Sequence, residues 1–294
     1  MVTQTDQQKP RSPLLGIPMP GREFRLLSEL IHARCGIKMP PSKKTMLESR
    51  LMKRLRVLGM DSYKRYCDYL LSPEGMENEL VHMIDVVTTN KTDFFREPEH
   101  FSFLLGRVVP EIYERYRRQG VEREIRIWSA GCSTGEEPYS LAMALEEYAS
   151  NNRCPGCSIL ATDISTSVLA RAEAGVYDYD KTEPVPMEML KKYFLKSSDP
   201  EQRLVMAGPF LKERVRFRRL NFMDAAFGMR ERFDVIFCRN VLIYFDKKTQ
   251  EAMINRLCQH IYPGGYLFIG RSETLTGMDT PLSLVVPTVY RIDR

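Results

Sequence analysis

A glycine-rich segment joins a predicted strand to a predicted helix near the middle of the chain. Gly131 and Gly135 allow positive backbone angles and the close approach of a ligand. Glu136, Glu137 and Pro138 follow them and are residue types favoured in the first turn of a helix. The two carboxylates would repel a phosphate, whereas nucleotide-binding turns offer bare amides or a lysine. The segment therefore favours a ligand that carries positive charge.

S-adenosylmethionine meets this requirement, because it combines an ammonium and a sulfonium with a ribose and an adenine. A carboxylate at the carboxyl end of a strand can accept both hydroxyls of a ribose, and Asp163 ends the next predicted strand. Asp163 could equally cap the helix that follows. A strand-to-helix turn without a ligand remains the alternative interpretation of the glycine segment, because single glycine turns are weak evidence.

Further polar residues follow two later strands, where an open parallel sheet presents its ligand contacts. Asn221 and Asp224 follow one of them, although an asparagine after a strand is often only part of a turn. Arg239, Asn240 and Tyr244 follow the other. Enzymes that methylate amines commonly carry Asn- or Asp-Pro-Pro-Tyr at such a place. The sequence Arg-Asn-Val-Leu found here disfavours nitrogen as the methyl acceptor.

The segment 88–98 mixes hydroxyl, amide, aromatic and guanidinium groups, and loops between domains often complete a site. Thr92 or Asp93 could cap a helix here, with the two phenylalanines of the segment in the core. Arg96 is the strongest candidate ligand in the segment. Its rigid fork of donors can hold a carboxylate, including the carboxylate of the cofactor.

No combination of nucleophile, base and orienting acid stands out in the sequence. The histidines lie outside the glycine turn and the strand ends, so we interpret all of them as structural or exposed: His32, His82, His100 and His260. A carboxylate acceptor has an ordinary pKa of about 4.3 and needs no general base at neutral pH. The missing base therefore favours methyl transfer to a carboxylate, which depends mainly on alignment and on exclusion of water.

The elements that must position these residues are those of an α/β protein. Short apolar strands alternate with helical stretches after residue 89, which indicates a doubly wound parallel sheet with helices on both faces. Prolines interrupt the pattern between Gly175 and Arg214, where one short helix, 187–194, is predicted, so we expect an insertion there. The predicted strands are 125–129, 158–162, 215–221, 233–238, 266–270 and 284–292.

Residues 21–89 show only helical periodicity. A stripe of leucines marks one helix, which Ser42 can cap and Gly59 can end. The opposite face of this helix is basic, and Arg50 and Arg54 lie one turn apart on it. The basic face is either simply solvated or a docking surface for an acidic partner.

The composition is that of a globular protein of one or two domains: 294 residues, 43% hydrophobic, 28% charged, with a net charge of +5. This mildly basic balance does not require a nucleic-acid partner, and we expect none. The longest apolar runs are strand-sized and fall short of the ~20 residues of a membrane span, so no membrane insertion is expected. Residues 1–20 hold four prolines and no apolar signal core, which predicts a flexible tail and a cytoplasmic protein.

Seven cysteines are scattered along the chain, an odd number that does not resemble a disulfide framework. We therefore expect reduced thiols. Cys154 and Cys157 have the spacing of a zinc or redox motif, but no second ligand pair is evident. A turn before a strand is the favoured interpretation, and no metal is expected.

Over nearly everything after the tail, the chain resembles the bacterial chemotaxis receptor methyltransferases of the CheR type. Four segments carry the resemblance in order: TNKTDFFREP at 89–98, WSAGCSTGEEPYS at 128–140, ATDIS at 161–165 and CRNVLIYFD at 238–246. The resemblance implies a helical N-terminal domain, 21–89 with its linker, followed by a class I, Rossmann-like methyltransferase domain at 90–294. A small antiparallel β-subdomain would be inserted at 175–214.

The resemblance also implies the reaction. A methyl group would pass from S-adenosylmethionine to glutamate side chains of cytoplasmic receptor helices, giving glutamate methyl esters and S-adenosylhomocysteine. Arg96 and Tyr244 would face the reacting methyl. By position, the cofactor site would be lined by Asn90, Thr92, Arg96, one of Glu136 and Glu137 (the first being the better placed), Asp163, Asn221, Phe222, Cys238 and Arg239.

Partners are implied as well. In this family the basic face of the N-terminal domain is thought to meet acidic receptor helices, which agrees with Arg50 and Arg54 here. The inserted subdomain of some members holds a C-terminal receptor pentapeptide. Two other functions stay open from the residues: a non-catalytic adaptor that senses the cofactor, and an RNA methyltransferase that holds phosphate on the basic helix.

Overall fold

The structure is a computed structural model that describes residues 18–152, 156–199 and 201–293. Most of the predicted tail, residues 1–17, lies outside the described residues, and so does Cys154. The described residues form two compact units. One holds the residues up to Ala33 together with Met39–Val87, and the other holds Arg34–Lys38 and the chain from Thr88 onward. No described helix combines the length and apolarity needed to cross a membrane.

All the regular secondary structure among the described residues of the first unit is helical. After a 3₁₀ turn at Pro41–Lys43, the leucine-striped helix begins at Lys44 and buries its leucines as predicted. Ser42 does not cap this helix, because the helix continues directly from the 3₁₀ turn and its N-cap residue is Lys43. Gly59 follows its end with a φ of 64°, as predicted. The helices are α1 Gly21–Cys35, α2 Lys44–Val57, α3 Tyr63–Leu70, α4 Pro73–Asn78 and α5 Leu80–Val87.

Arg54 does not point into solvent from α2. Its guanidinium donates two hydrogen bonds to the carboxylate of Glu79, at 2.8 and 2.6 Å, and the Tyr66 hydroxyl donates a third at 3.1 Å. The Glu79 side chain is 2% exposed and that of Arg54 is 15% exposed. Arg50 is half-buried and donates to the Val87 carbonyl. Both arginines of the predicted basic face, Arg50 and Arg54, therefore donate hydrogen bonds to groups of their own unit.

A seven-stranded, mostly parallel sheet organises the second unit. The strands are β1 Ile125–Ala130, β2 Cys157–Asp163, β3 Val176–Asp178, β4 Phe194–Lys196, β5 Leu204–Ala207, β6 Val215–Arg219, β7 Phe233–Cys238, β8 Ile261–Ile269, β9 Leu282–Val286 and β10 Val289–Ile292. The large sheet has the order β6-β2-β1-β7-β8-β10-β9, in which β10 pairs antiparallel with β8 and β9 and the other pairings are parallel. β7 is buried at every position, as expected of a central parallel strand covered on both faces.

The helices of this unit alternate with the strands, which confirms the predicted fold class. They are α6 Pro98–Phe103, α7 Val109–Gln119, α8 Glu136–Asn151, α9 Thr166–Ala174, α10 Met187–Tyr193, α11 Pro209–Arg214 and α12 Lys247–Cys258, with a π-helical turn at Leu104–Val108. The prediction of a single strand at 284–292 is wrong. These residues lie in the hairpin β9–β10, which reverses at Thr288 with a φ of 68°.

A small antiparallel sheet, β3-β5-β4, lies between α9 and α11 in the predicted insertion. One face of this sheet packs in the apolar core that also contains residues of β1 and β7. The side chains on this face include Tyr177, Phe194 and Val205. The helix predicted at 187–194 is α10. The small sheet is therefore packed on the larger one and is a fixed part of the second unit.

Candidate functional site

The predicted glycine turn connects β1 to α8. Gly131 and Gly135 have φ values of 91° and 95°, which confirms their positive angles, and α8 begins at Glu136. The amides of Gly131 and Cys132 donate to the Thr162 carbonyl at 2.8 and 2.9 Å. A Cβ atom on Gly135 would lie 2.9 Å from the Tyr177 hydroxyl, so the close packing of the small sheet also requires glycine here.

Asp163 ends β2 directly beside this turn. Its Oδ2 accepts a hydrogen bond from the Ser133 amide at 2.9 Å, and its Oδ1 accepts one from the Ser165 amide at 3.0 Å. The N-cap of α9 is Ser165, whose hydroxyl accepts from the Val168 amide. The alternative that Asp163 caps this helix is therefore wrong. The carboxylate is fixed between two loops with the residue 8% exposed.

The segment 88–98 lies against the glycine turn. The Ser133 hydroxyl donates to the Asn90 carbonyl at 3.1 Å, and the Phe95 amide donates to the Ser140 hydroxyl at 2.9 Å. Three of its predicted site residues are half-buried there: Asn90, Thr92 and Arg96. Neither serine was singled out from the sequence, although both fall within the motif 128–140.

No helix starts at Thr92 or Asp93, so the predicted cap is wrong. The next helix, α6, starts at Pro98 after Glu97, which has a left-handed φ of 57°. The contacts to the glycine turn hold this segment in a non-helical conformation, with a turn at Phe94 and Phe95, and the proline supplies the preorganised first residue of the helix. The core placement of the phenylalanines is confirmed, because Phe94 is buried with its ring 5.0 Å from that of Tyr177, and Phe95 packs on the same core.

Arg239 forms a buried ion pair with Glu137. Its Nε donates to Glu137 Oε2 at 2.6 Å, and its Nη1 donates to the Arg96 carbonyl at the same distance. Glu137 Oε1 accepts from the Ser129 hydroxyl at 2.7 Å. These charge-assisted bonds offset the desolvation of both groups. Both carboxylate oxygens of Glu137 are therefore occupied by groups of the protein.

Glu136 has a different environment. Its Oε2 accepts from the Thr134 hydroxyl at 2.7 Å, and its Oε1 lies 3.4 Å from the ammonium of Lys181, whose side chain is half-exposed to solvent. The Tyr177 hydroxyl donates to the Thr134 carbonyl at 2.8 Å. Lys181 and Tyr177 belong to the inserted stretch and were missed in the sequence, because their contacts to the glycine turn are long-range.

Tyr244 ends a 3₁₀ turn, Leu242–Tyr244, that follows β7. Its hydroxyl lies 3.5 Å from the Thr89 carbonyl, and the side chain is half-buried. The Arg96 guanidinium donates to the Lys91 carbonyl at 3.1 Å. Tyr244 thus contacts the segment that contains Arg96, and the role of both residues at the reacting methyl stays a prediction.

The remaining predicted residues differ in their accessibility. Cys238 is fully buried at the end of β7, and burial raises the pKa of its thiol well above the ordinary value. Phe222 is buried. The side chain of Asn221 donates to the Arg34 carbonyl at 2.7 Å and accepts from the Met223 amide at 3.0 Å, which confirms the turn interpretation for this residue. A contact from Asn221 to the cofactor remains a prediction.

His100 is buried beside Arg239. Its Nδ1 lies 3.2 Å from Arg239 Nη1 and 3.3 Å from Glu97 Oε2, and its Nε2 lies 2.7 Å from the Thr288 hydroxyl. Burial and the positive charge of Arg239 lower the pKa of this imidazole. His260 packs on Trp128 and Phe227. His32 and His82 are exposed, so the structural or exposed interpretation of the histidines is confirmed.

The cluster fits a cationic cofactor better than an anionic one. It brings Glu136, Glu137 and Asp163 to the carboxyl ends of β1 and β2, the edge where open α/β sheets bind ligands. The arginine among them is already neutralised by Glu137. No group of three or more potential metal ligands occurs in the described part of the chain.

Comparison with known proteins agrees with this arrangement. The model of the CheR methyltransferase SAM-binding domain matches residues 90–290, and that of the CheR methyltransferase all-alpha domain matches residues 22–88. A chemotaxis protein methyltransferase of Borreliella burgdorferi is 39% identical over 94% of this chain and 96% of its own length. One of Escherichia coli is 37% identical, over 92% and 91% respectively. The chain therefore belongs to the CheR methyltransferase family and is an S-adenosylmethionine-dependent methyltransferase.

Proposed function

We propose that this protein methylates glutamate side chains on the cytoplasmic helices of chemoreceptors, giving glutamate methyl esters and S-adenosylhomocysteine. The observation that carries the proposal is the chemistry of the cluster. Its carboxylates suit a cationic cofactor, while both ring nitrogens of its histidine, His100, are engaged by Arg239 and Thr288. No base is then needed if the acceptor is a carboxylate. The relatives named above are chemotaxis methyltransferases, which supports the same substrate class.

We propose that Asp163 accepts the ribose hydroxyls, because its carboxylate is already oriented by two backbone amides. Of the two glutamates, we propose Glu136 as the cofactor ligand, since its partners are the Thr134 hydroxyl and the half-exposed Lys181, whereas Glu137 is tied to the buried Arg239. The wall of the proposed site is completed by Asn90, Thr92, Arg96, Asn221, Phe222, Cys238 and Arg239.

When bound, S-adenosylmethionine supplies an electrophilic methyl on its sulfonium. In our proposal the Arg96 guanidinium attracts the anionic acceptor, and the Tyr244 hydroxyl orients it toward that methyl. The phenylalanines of the segment 88–98 pack in the core and hold this segment in place. Alignment of this kind can supply ~7 to 11 kcal/mol in favourable cases.

The test is to incubate the purified protein with methyl-labelled cofactor and receptor-containing membranes. We expect label that is released as methanol by mild alkali, because esters hydrolyse under these conditions. Alkali-stable label would contradict transfer to a carboxylate. Arg96→Ala and Tyr244→Phe are expected to lower turnover more than they lower cofactor affinity.

The receptor contact on the first unit is also a proposal, and we revise the residues assigned to it. Because Arg50 and Arg54 bind within their own unit, we assign the docking role to Lys53 and Arg56, the exposed cations of α2. Acidic receptor helices would be steered to this face by long-range attraction.

Replacing both Lys53 and Arg56 by glutamate should raise the KM for the receptor and leave the Kd of S-adenosylhomocysteine unchanged. Lys248→Glu, an exposed charge reversal in the first turn of α12, is the matched control and should behave as wild type. Equal effects of the control and the double reversal would remove the docking assignment.

A second receptor contact on the small sheet remains a proposal. Three apolar side chains form an exposed row across its strands, since Met206 pairs with both Val176 and Leu195. This row supports a peptide-binding role. Titration with a peptide copying the C-terminus of the receptor should give a binding heat that Met206→Lys abolishes, and no heat with wild type would refute it.

A further inference from the structure

A buried carboxylate lies beneath the turn that carries Tyr244. Glu273 follows β8, is 8% exposed, and has no role in the mechanism described so far. Its Oε2 accepts hydrogen bonds from the amides of Gly270 at 2.6 Å and Asn240 at 2.9 Å. Its Oε1 accepts from the amide of Ile243 at 3.4 Å. One side chain therefore connects the end of β8 to the residues that follow β7.

The first backbone amides of a helical turn have no hydrogen-bond partner within the turn, and the amides bound by Glu273 include such amides. The N-cap residue of the turn Leu242–Tyr244 is Val241, whose side chain forms no capping bond. The amides of Asn240, before the turn, and Ile243, within it, donate to Glu273, so the carboxylate takes the place of the missing cap. A carboxylate is well suited to this position, because the start of a helical turn carries partial positive charge.

The backbone before the turn is left-handed. Asn240 has a φ of 59°, in a region that asparagine adopts more often than most non-glycine residues. A Cβ atom on Gly270 would lie 2.5 Å from Asn240 Nδ2, so the two chain segments approach closely. The Asn240 amide in this close contact is held by Glu273.

The end of the turn is fixed independently. The Lys38 amide donates to the Tyr244 carbonyl at 2.9 Å, and the Gln250 side chain donates to the Leu242 carbonyl at 2.7 Å. Glu273 is thus the side chain that orients the first amides of the turn, while other groups hold its carbonyls. Burying a carboxylate is unfavourable by itself, so its amide partners are what keep it in this place.

We propose that Glu273 is a positioning residue for methyl transfer, which holds the Asn240–Tyr244 turn so that the Tyr244 hydroxyl stays at the reacting end of the site. The inference rests on the proposed function and on the role proposed there for Tyr244. It assigns no contact between Glu273 and either the cofactor or the methyl acceptor.

The first test is Glu273→Gln, which keeps the size of the side chain and replaces one acceptor oxygen by an NH₂ group that faces backbone donors. We expect kcat for ester formation to fall about ten- to a hundredfold, because small misplacements of reacting groups have effects of this size. The Kd of S-adenosylhomocysteine should change less than about twofold. Glu251→Gln is the matched control, because Glu251 Oε2 also accepts from a backbone amide, that of Asp279, in an exposed place.

The same substitution is then made in the Tyr244→Phe variant. If Glu273 acts through the hydroxyl of Tyr244, Glu273→Gln should lower kcat by less than about twofold in this background. An equally large loss in both backgrounds, or no loss in the wild-type background, would overturn the proposal. If Glu273→Gln fails to fold, as judged by circular dichroism, Glu273→Asp takes its place in the same cycle.

Amide hydrogen exchange gives a readout that does not depend on activity. Glu273→Gln should speed exchange at the amides of Asn240 and Ile243, whereas Glu251→Gln should not. Unchanged exchange at these amides would show that Glu273 does not hold the turn. A wild-type protein that makes no alkali-labile esters would instead refute the proposed function, so the two failures are distinguishable.

Discussion

The buried ion pair of the first unit makes a prediction about stability. In Arg54→Met the aliphatic stem is kept and the charge is lost, so Glu79 would retain only the hydrogen bond from Tyr66 among its three side-chain bonds. Removing one partner of a buried pair destabilises by ~3 to 5 kcal/mol. Because Arg54 itself keeps some exposure, we expect the lower end, about 3 kcal/mol. That is a large share of the ~5 to 15 kcal/mol typical of a folded domain.

The assay is urea denaturation followed by circular dichroism. Lys53→Met is the control, since Lys53 is exposed on the same helix, and its effect should stay within about 0.5 kcal/mol. Trp128, the single tryptophan, lies in β1, so its fluorescence reports the second unit separately. Adding Glu79→Leu to Arg54→Met should recover part of the loss, because the unpaired charge is then gone, although the buried Tyr66 hydroxyl loses its acceptor. If Arg54→Met is no more destabilising than Lys53→Met, the ion pair does not hold the first unit together.

Three further predictions concern the second unit. Asp163→Ala should raise the Kd of S-adenosylhomocysteine by about ten- to a hundredfold in calorimetry, since hydrogen bonds to a charged group contribute ~1.5 to 3 kcal/mol; an unchanged Kd in a folded variant would rule out the ribose contact. Glu136→Gln should weaken cofactor binding with little effect on thermal stability, whereas Glu137→Gln should lower the Tm, because Glu137, unlike Glu136, pairs with the buried Arg239; the reverse pattern would exchange their roles. The pKa of His100 is lowered on folding from the ordinary 6.5, so the unfolded state binds the proton more readily and stability is lost as the pH falls through 6.5. His100→Gln should weaken the dependence of the urea midpoint on pH between about pH 5 and pH 8. If the midpoint depends on pH as strongly as in the wild type, His100 does not titrate on unfolding.

Local chemistry predicted the parts of the site that are contiguous in sequence. The glycine turn follows from residue types alone, because positive φ angles and the start of a helix have strong local preferences. The parallel strands follow from runs of apolar residues, since strands covered on both faces need no alternation. β8 was predicted too short because Pro263, Gly264 and Gly265 near its start are typical of turns.

Long-range partners could not be predicted in the same way. Arg54 looked like a docking residue because its pattern on α2 is that of an exposed face, and Glu79 lies 25 positions away. Glu137 and Arg239 are 102 positions apart, so nothing local distinguished Glu137 from Glu136. Glu273 follows β8 but caps the turn that follows β7. Capping signals in a sequence are recognised only among residues next to the helix start, so this cap could not be predicted.

The contact between His100 and Thr288 has a consequence for how the protein matures during translation. It joins α6 to the reversal of the β9–β10 hairpin, across 188 positions of sequence. His100 therefore acquires its Thr288 partner only after the ribosome has released the hairpin, whereas the helices of the first unit can pack much earlier. A nascent chain stalled before residue 282 should consequently carry a folded first unit, while in its second unit His100 lacks the Thr288 contact.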